Sequence, residues 1–297
     1  MDSFIDFHTH ITINSKTANL YPNYTFPHFL EEQRKANVHK SVCFINPFVS
    51  DILCDYNAKH KIMIEDSSCA GRVKIRCTEC NRILYEGVDP LRKYNEALLN
   101  FSTGINSVIP FVYLNVCESN ISQEIEYYET KYPNTIKGYK IHPTFSGRSI
   151  LDLSDIPTDK PIVVHTGVEP CANPLNVIQF SKRHSGPLVM AHFARFHRDA
   201  LHALNECKNL FVDTSPMIFL HQLQATKPHR VFDISWFASR DTPLKLFYQK
   251  LLKCLPPEKI VLATDAPFSS LSDEVAFIRE LFNGCDETVY YNAQKLL

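Results

Sequence analysis

The sequence predicts a (β/α)8 TIM barrel, an α/β fold, on two observations. Apolar β-type runs recur eight times along the 297 residues, and five of them finish in a histidine, lysine or aspartate. Near-continuous Val, Ile, Leu and Phe mark parallel strands buried on both faces. A barrel of such strands gathers its functional residues at their C-terminal ends.

The candidate strands lie at 4–8, 40–46, 107–114, 137–142, 161–165, 187–192, 209–214 and 259–264, the eight that a barrel needs. Helical patterns fall between them, near 26–37, 90–102, 120–132, 173–184, 198–207, 243–254 and 271–283. Two connections exceed what a minimal barrel requires: 49–88 after strand two and 215–242 after strand seven. Both emerge on the face that carries the chemistry, so both are candidates for lids or pocket walls.

Composition bounds the rest. A chain that is 44% hydrophobic over 297 residues can bury one large core, so residues 1–297 read as a single barrel with an insert at 49–88. Thirty-one basic residues against 32 acidic ones leave a net charge of −1, which argues against bulk nucleic-acid binding. No apolar run reaches membrane-spanning length, and the first residues form a strand rather than a secretory signal, so a cytoplasmic protein with no membrane partner is expected. Ten cysteines scattered over a large chain read as free thiols or metal ligands rather than disulfides.

The chemistry begins in the first strand, Ile5-Asp-Phe-His-Thr-His10. Residues two apart on a strand share a face, so His8 and His10 converge as half of a divalent-metal site. Capping of a strand end is their plain alternative. Lys140 and His142 close strand four, two apart; His165 closes strand five, ahead of Thr166-Gly167; His192 closes strand six, ahead of Phe193, Ala194 and Arg195; and Asp265 closes strand eight. Asp6 lies deeper and reads as a buttress for a ligand. Arg148 and Arg195 follow strands four and six and can reach a substrate carboxylate or phosphate, or form surface ion pairs. Asp213 reads as a strand-end hydrogen-bonding residue. Trp236 and Phe237 suit a substrate platform or the core of their long connection. The insert carries Cys77-Thr-Glu-Cys80, a knuckle that can clasp a structural zinc if Cys54, Cys69 or His60 completes the set. A zinc ribbon shows two such pairs, and this insert has one.

In order and strand context, His8-x-His10, Gly138-Tyr-Lys140-Ile-His142-Pro, His165-Thr-Gly, His192, Asp213-Thr-Ser and Thr264-Asp265-Ala-Pro resemble the amidohydrolase superfamily. Within it the chain resembles the amidohydrolase-2 branch, which includes decarboxylases of the aminocarboxymuconate-semialdehyde type, and Asn292-Ala293 matches that branch's ending. The resemblance implies metal ligands at His8, His10 and His165, with Asp265 as fourth ligand or general base. It implies that His192 binds a second metal or orients the attacked group. Lys140 either bridges two metals in carboxylated form or lines the pocket, as His142 can; the branch favours one metal over two, most readily zinc. A bound divalent ion lowers the pKa of a water from ~15.7 towards ~7, and Asp265 or His192 can take its proton.

These residues lead to an expected function: a metal-dependent hydrolase acting on a C–N or C–O bond of a small, anionic molecule. Non-oxidative decarboxylation on the same ligands is the alternative. A nuclease of the TatD type is the other, with the insert's Lys59, Lys61, Arg72, Lys74, Arg76 and Arg82 as a local basic surface. The Gly-Glu-x-Gly-Leu-Asp run of those nucleases has no counterpart here, which disfavours it.

Overall fold

Eight parallel strands follow one another around a barrel in chain order: Ile5–Ile11, Lys40–Ile45, Val108–Leu114, Gly138–Ile141, Ile162–Val164, Leu188–Met190, Leu210–Asp213 and Ile260–Val261. The ring closes between last and first, where Phe7 N donates to Leu262 O at 2.9 Å, His10 N to Ala266 O at 2.7 Å and Asp265 N to His8 O at 2.7 Å. The computed structural model describes residues 4–12, 24–45, 62–68, 72–77, 80–88, 90–114, 121–146, 148–153, 156–283 and 288–297.

All eight anticipated strands form. The anticipated helices form too, as Phe26–Lys35, Pro90–Ser102, Ile121–Lys131, Pro174–Ser181, Arg198–His202, Leu244–Leu252 and Leu271–Leu281. Inside the ring, Phe7, Val42, Phe44, Ile109, Phe111, Val163, Val189 and Val261 form one buried cluster. Phe7 and Phe111 meet edge to face with centroids 5.7 Å apart, an arrangement that fills the axis with apolar bulk. A larger outer cluster packs helices on strands.

Strand one departs from plain alternation, and that departure builds the site. Asp6 pairs with Ser41 while Thr9 pairs with Cys43, so strand one holds one residue more than its partner across this interval. Such a bulge re-aims the side chains beyond it. Phe7 stays in the inner core, and His8 and His10 become the next pair to face inward. Asp6 holds the bulge: its carboxylate accepts His8 N at 3.2 Å, Thr264 N at 3.0 Å, Thr264 Oγ1 at 2.7 Å and the Thr9 hydroxyl. Asp6 therefore ties strand one to strand eight rather than following His8 inward as simple alternation implied.

The insert is a three-stranded antiparallel sheet, Ile62–Ser68, Arg72–Cys77 and Ile83–Val88. Its first strand runs beside the short helix Pro143–Ser146 that follows strand four. The long connection after strand seven contains a helix, Met217–Thr226, which is not among those the sequence predicts. Trp236 and Phe237 pack against the outer core and do not line the cavity, so they form no substrate platform. A further helix, Thr288–Leu296, was also not anticipated. There Asn292 Nδ2 donates to Pro257 O and Ile260 O, each at 2.7 Å, pinning the start of strand eight. Among the described residues no helix is long and apolar enough to cross a membrane.

Candidate active site

The C-terminal ends of the strands meet at a cavity of about 420 Å³ lined by His10, Lys140, His142, His165, His192, Arg195, Pro216, Phe219, Asp265 and Phe268. A larger groove lies at the opposite end, around Lys40, Ser102 and Lys137, away from every strand-end histidine. The strand-end residues His10, Lys140, His142, His165, His192 and Asp265 all line the smaller one, which makes it the candidate site.

Three groups converge at its floor. His8 Nε2 and His10 Nε2 are 3.2 Å apart, and Asp265 Oδ1 lies 3.3 Å from each. Their neighbours fix what these atoms offer. Asp213 Oδ2 sits 2.7 Å from His8 Nδ1 and so holds that nitrogen as the donor. The Ile45 carbonyl does the same for His10 Nδ1 at 3.3 Å. Both Nε2 atoms then present lone pairs towards a carboxylate oxygen, an arrangement that favours a cation among them. The donor set of two imidazoles and a carboxylate suits zinc or a similar divalent ion. His8, His192 and Asp213 form a second group of metal-competent atoms within 4.8 Å of one another.

Lys140 supplies positive charge at the same place. It is fully buried, with Nζ 3.1 Å from His8 Nε2 and 5.0 Å over the Phe44 ring. Burial pulls its pKa down to about 8, with Asp213 and Asp265 opposing the fall.

His165 joins a different set from the one its metal-ligand reading implied. Its Nδ1 lies 2.9 Å from His192 Nε2, and its ring stacks on His142 with centroids 3.6 Å apart. It is not among the metal-competent groups that include His8, His10 and Asp265. His192 Nδ1 donates to the Ser215 carbonyl at 3.0 Å, which leaves Nε2 to accept from His165. Arg195 faces the cavity with Nε on the Thr166 carbonyl at 3.2 Å, and no carboxylate of the described residues lies within 4.0 Å of its guanidinium. Arg148 is exposed and lies outside the cavity lining. Phe219 and Phe268, half exposed, form the mouth. Glu274 ties their two segments together: its carboxylate accepts Met217 N and Ile218 N, at the start of the Phe219 helix, at 3.0 Å and Ser269 Oγ at 2.6 Å.

Sequence reasoning undervalued Asp213, whose carboxylate also accepts His192 N at 2.9 Å and Ser215 Oγ at 2.8 Å. The Asp-Thr-Ser run was visible; the ring it would meet, 205 residues away in sequence, was not. Asp213→Asn is expected to weaken metal binding about 10- to 100-fold, because the amide no longer fixes the His8 tautomer. A competition titration with a chelator measures it.

Protonation sets the acid limit of the fold. Burial holds His8, His142, His165 and His192 well below the usual histidine range. Unfolded histidines take up protons below about pH 6.5, so these four disfavour the folded state as pH falls through that value. Burial raises Asp6 and Asp213 to about 6 and Glu274 to about 7, which acts in the opposite sense. His197 is held down by burial as well, so five histidines act against three carboxyls, and metal-free protein is expected to lose stability from pH 7 to pH 5. Urea unfolding at the two values measures it.

Comparison with known proteins agrees with this geometry. Residues 156–289 match the family model described as amidohydrolase. Over that stretch, somewhat less than half of its length, the chain is similar to the amidohydrolase family. No curated protein sequence matches. Among solved structures, a dihydroxybenzoic acid decarboxylase of Polaromonas sp. JS666, with bound manganese and the inhibitor 2-nitroresorcinol, is 12% identical at a TM-score of 0.60, covering 100% of this chain and 97% of that one. The 5-carboxyvanillate decarboxylase of Sphingomonas paucimobilis is 10% identical at a TM-score of 0.57, covering 100% and 99%. A probable 2-pyrone-4,6-dicarboxylic acid hydrolase of Acinetobacter baumannii with citric acid bound is 13% identical at 0.57, again covering 100% and 99%. At such identities these likenesses speak to the barrel fold alone.

For nucleic acid the local geometry offers little. Lys59 and Lys61 lie outside the described residues, and Lys74 is paired with Glu86 at 3.4 Å.

Proposed function

We propose that this amidohydrolase barrel is a metal-dependent hydrolase that cleaves a C–N or C–O bond of a small anionic molecule in the 420 Å³ cavity. One observation carries the reading: two imidazole lone pairs and the Asp265 carboxylate lie within 3.3 Å of one another. His8, His10 and Asp265 would hold a divalent ion, most readily zinc. A bound ion supplies Lewis-acid polarisation of a carbonyl and acidifies water.

The protein's own groups do the rest. Asp265 accepts a proton through the oxygen not shared with the histidines, Oδ2, which lies 3.8 Å from His192 Nδ1. His192 stands beside it as the partner that orients or polarises the attacked group. Arg195 anchors the anionic end of the substrate, and Lys140 adds charge at the floor. Phe219 and Phe268 exclude water at the mouth.

Non-oxidative decarboxylation is the second reading. Two cations in one cavity, Arg195 and Lys140, suit a carboxylate held over the metal ligands. Incubating metal-loaded protein with aromatic carboxylates, lactones and amides separates the readings: carbon dioxide release marks decarboxylation, and its absence with product formation marks hydrolysis. A chelator is expected to abolish either.

The insert's structural zinc is part of the same proposal. Cys77 Sγ accepts Cys80 N at 3.5 Å, while Cys54, Cys69 and His60 lie outside the described residues. The cytoplasmic placement belongs to the proposal as well, on the thiols of Cys43, Cys171, Cys207 and Cys254, which are free.

A further inference from the structure

After strand six the backbone passes through five successive left-handed residues, with φ of 63° at His192, 48° at Phe193, 48° at Ala194, 49° at Arg195 and 67° at Phe196. None is glycine. L residues adopt this conformation singly and at a steric cost, so a run of five persists only where its surroundings impose it. The turn matters because it presents both His192 and Arg195 to the cavity.

Its two ends are held from different places. His192 is fixed from strand seven, through its backbone N on Asp213 Oδ1 at 2.9 Å and its ring on Ser215 O at 3.0 Å. The Arg195 end is fixed from the long connection that follows. Phe232 N donates to Arg195 O at 3.0 Å, and Trp236 Nε1 donates to Phe196 O at 3.2 Å. Phe196 also packs on Phe247 and Phe237, with centroids 5.3 and 5.9 Å away. Such ring contacts supply burial but fix direction poorly, whereas a hydrogen bond to a carbonyl fixes the peptide plane. Neither Phe232 nor Trp236 lines the cavity.

We propose that Trp236 is a positioning residue of the active site: its indole N–H pins the end of the left-handed turn and so aims the Arg195 guanidinium into the cavity. The later part of the 215–242 connection, at Phe232 and Trp236, then acts from behind the site as a brace, while Phe219 near its start stands at the mouth. This inference rests on Arg195 being the anion anchor. A Trp serving only as core filler needs its ring and not its N–H.

The test is Trp236→Phe, which keeps an aromatic ring and removes the donor, in the full metal-loaded protein. Two readouts are taken. In hydrogen exchange followed by mass spectrometry, the amides of Ala194 and His197, which bond within the turn, are expected to exchange about tenfold faster while the barrel strands are unchanged. Equal exchange overturns the brace. In calorimetry with benzoate, a flat carboxylate suited to the cavity, Trp236→Phe is expected to weaken binding several-fold, with no further loss when added to Arg195→Met. Equal weakening in both backgrounds overturns the action through Arg195 and leaves a packing role. If wild type and Arg195→Met bind benzoate alike, the anchor reading fails, and with it the claim that Trp236 acts through Arg195; the exchange result still decides the brace.

Discussion

Asp265→Asn is expected to lower turnover by about a thousandfold with the fold intact. The magnitude follows from the proton-transfer role, for which ~10²–10⁴ is usual, and a lost ligand adds to it. The substitution is nearly isosteric, and the conformation of residue 265 is set by the backbone: φ is 59°, and the amide donates to His8 O at 2.7 Å. Asparagine tolerates the left-handed region, so neither placement nor packing should change. What changes is charge. The carboxylate oxygen shared between His8 Nε2 and His10 Nε2 becomes an amide atom that attracts a cation less and accepts no proton. Steady-state kinetics on the substrate found by product analysis, with a melting curve as control, checks this; an active Asp265→Asn protein sinks the assigned role.

The largest effect on stability is expected at Asp6. Asp6→Ala removes one buried carboxylate and leaves four donors without their acceptor: His8 N, Thr264 N and the hydroxyls of Thr9 and Thr264. Hydroxyls can turn elsewhere, but the two backbone N–H groups cannot. An orphaned buried donor costs about 1–3 kcal/mol, so a loss of ~3–5 kcal/mol is expected. Because Asp6 also holds the bulge that turns His8 and His10 inward, metal affinity should fall with stability. Denaturant unfolding and metal titration on one preparation test the link; loss of stability with unchanged metal affinity would show that the bulge does not aim the histidines.

These two residues show what the sequence could and could not say. The eight strands were legible because buried parallel strands are continuous apolar runs, and the strand-end histidines because the barrel puts function there. Asp265 at the end of strand eight was legible for the same reason. The bulge was not, since it exists only in the register between strands one and two. Asp213 looked like an ordinary strand end because its partner, His8, is distant in sequence. The left-handed turn at 192–196 carries no glycine to announce it. The helix at Met217–Thr226 was hidden because its start is capped by Glu274 from another segment rather than by a local side chain. His165 has the residue type and strand position of a ligand, yet its ring lies with His142 and His192, a matter of side-chain direction that strand spacing does not fix.

The central claim is that His8 and His10 hold a metal, and elemental analysis tests it most directly. Metal per chain is measured on wild type and on the His8→Ala, His10→Ala double variant, both shown to be folded. The expected result is one equivalent fewer in the variant, any zinc that remains belonging to the cysteine insert. An unchanged metal content would contradict the site, and the hydrolase reading would fall with it.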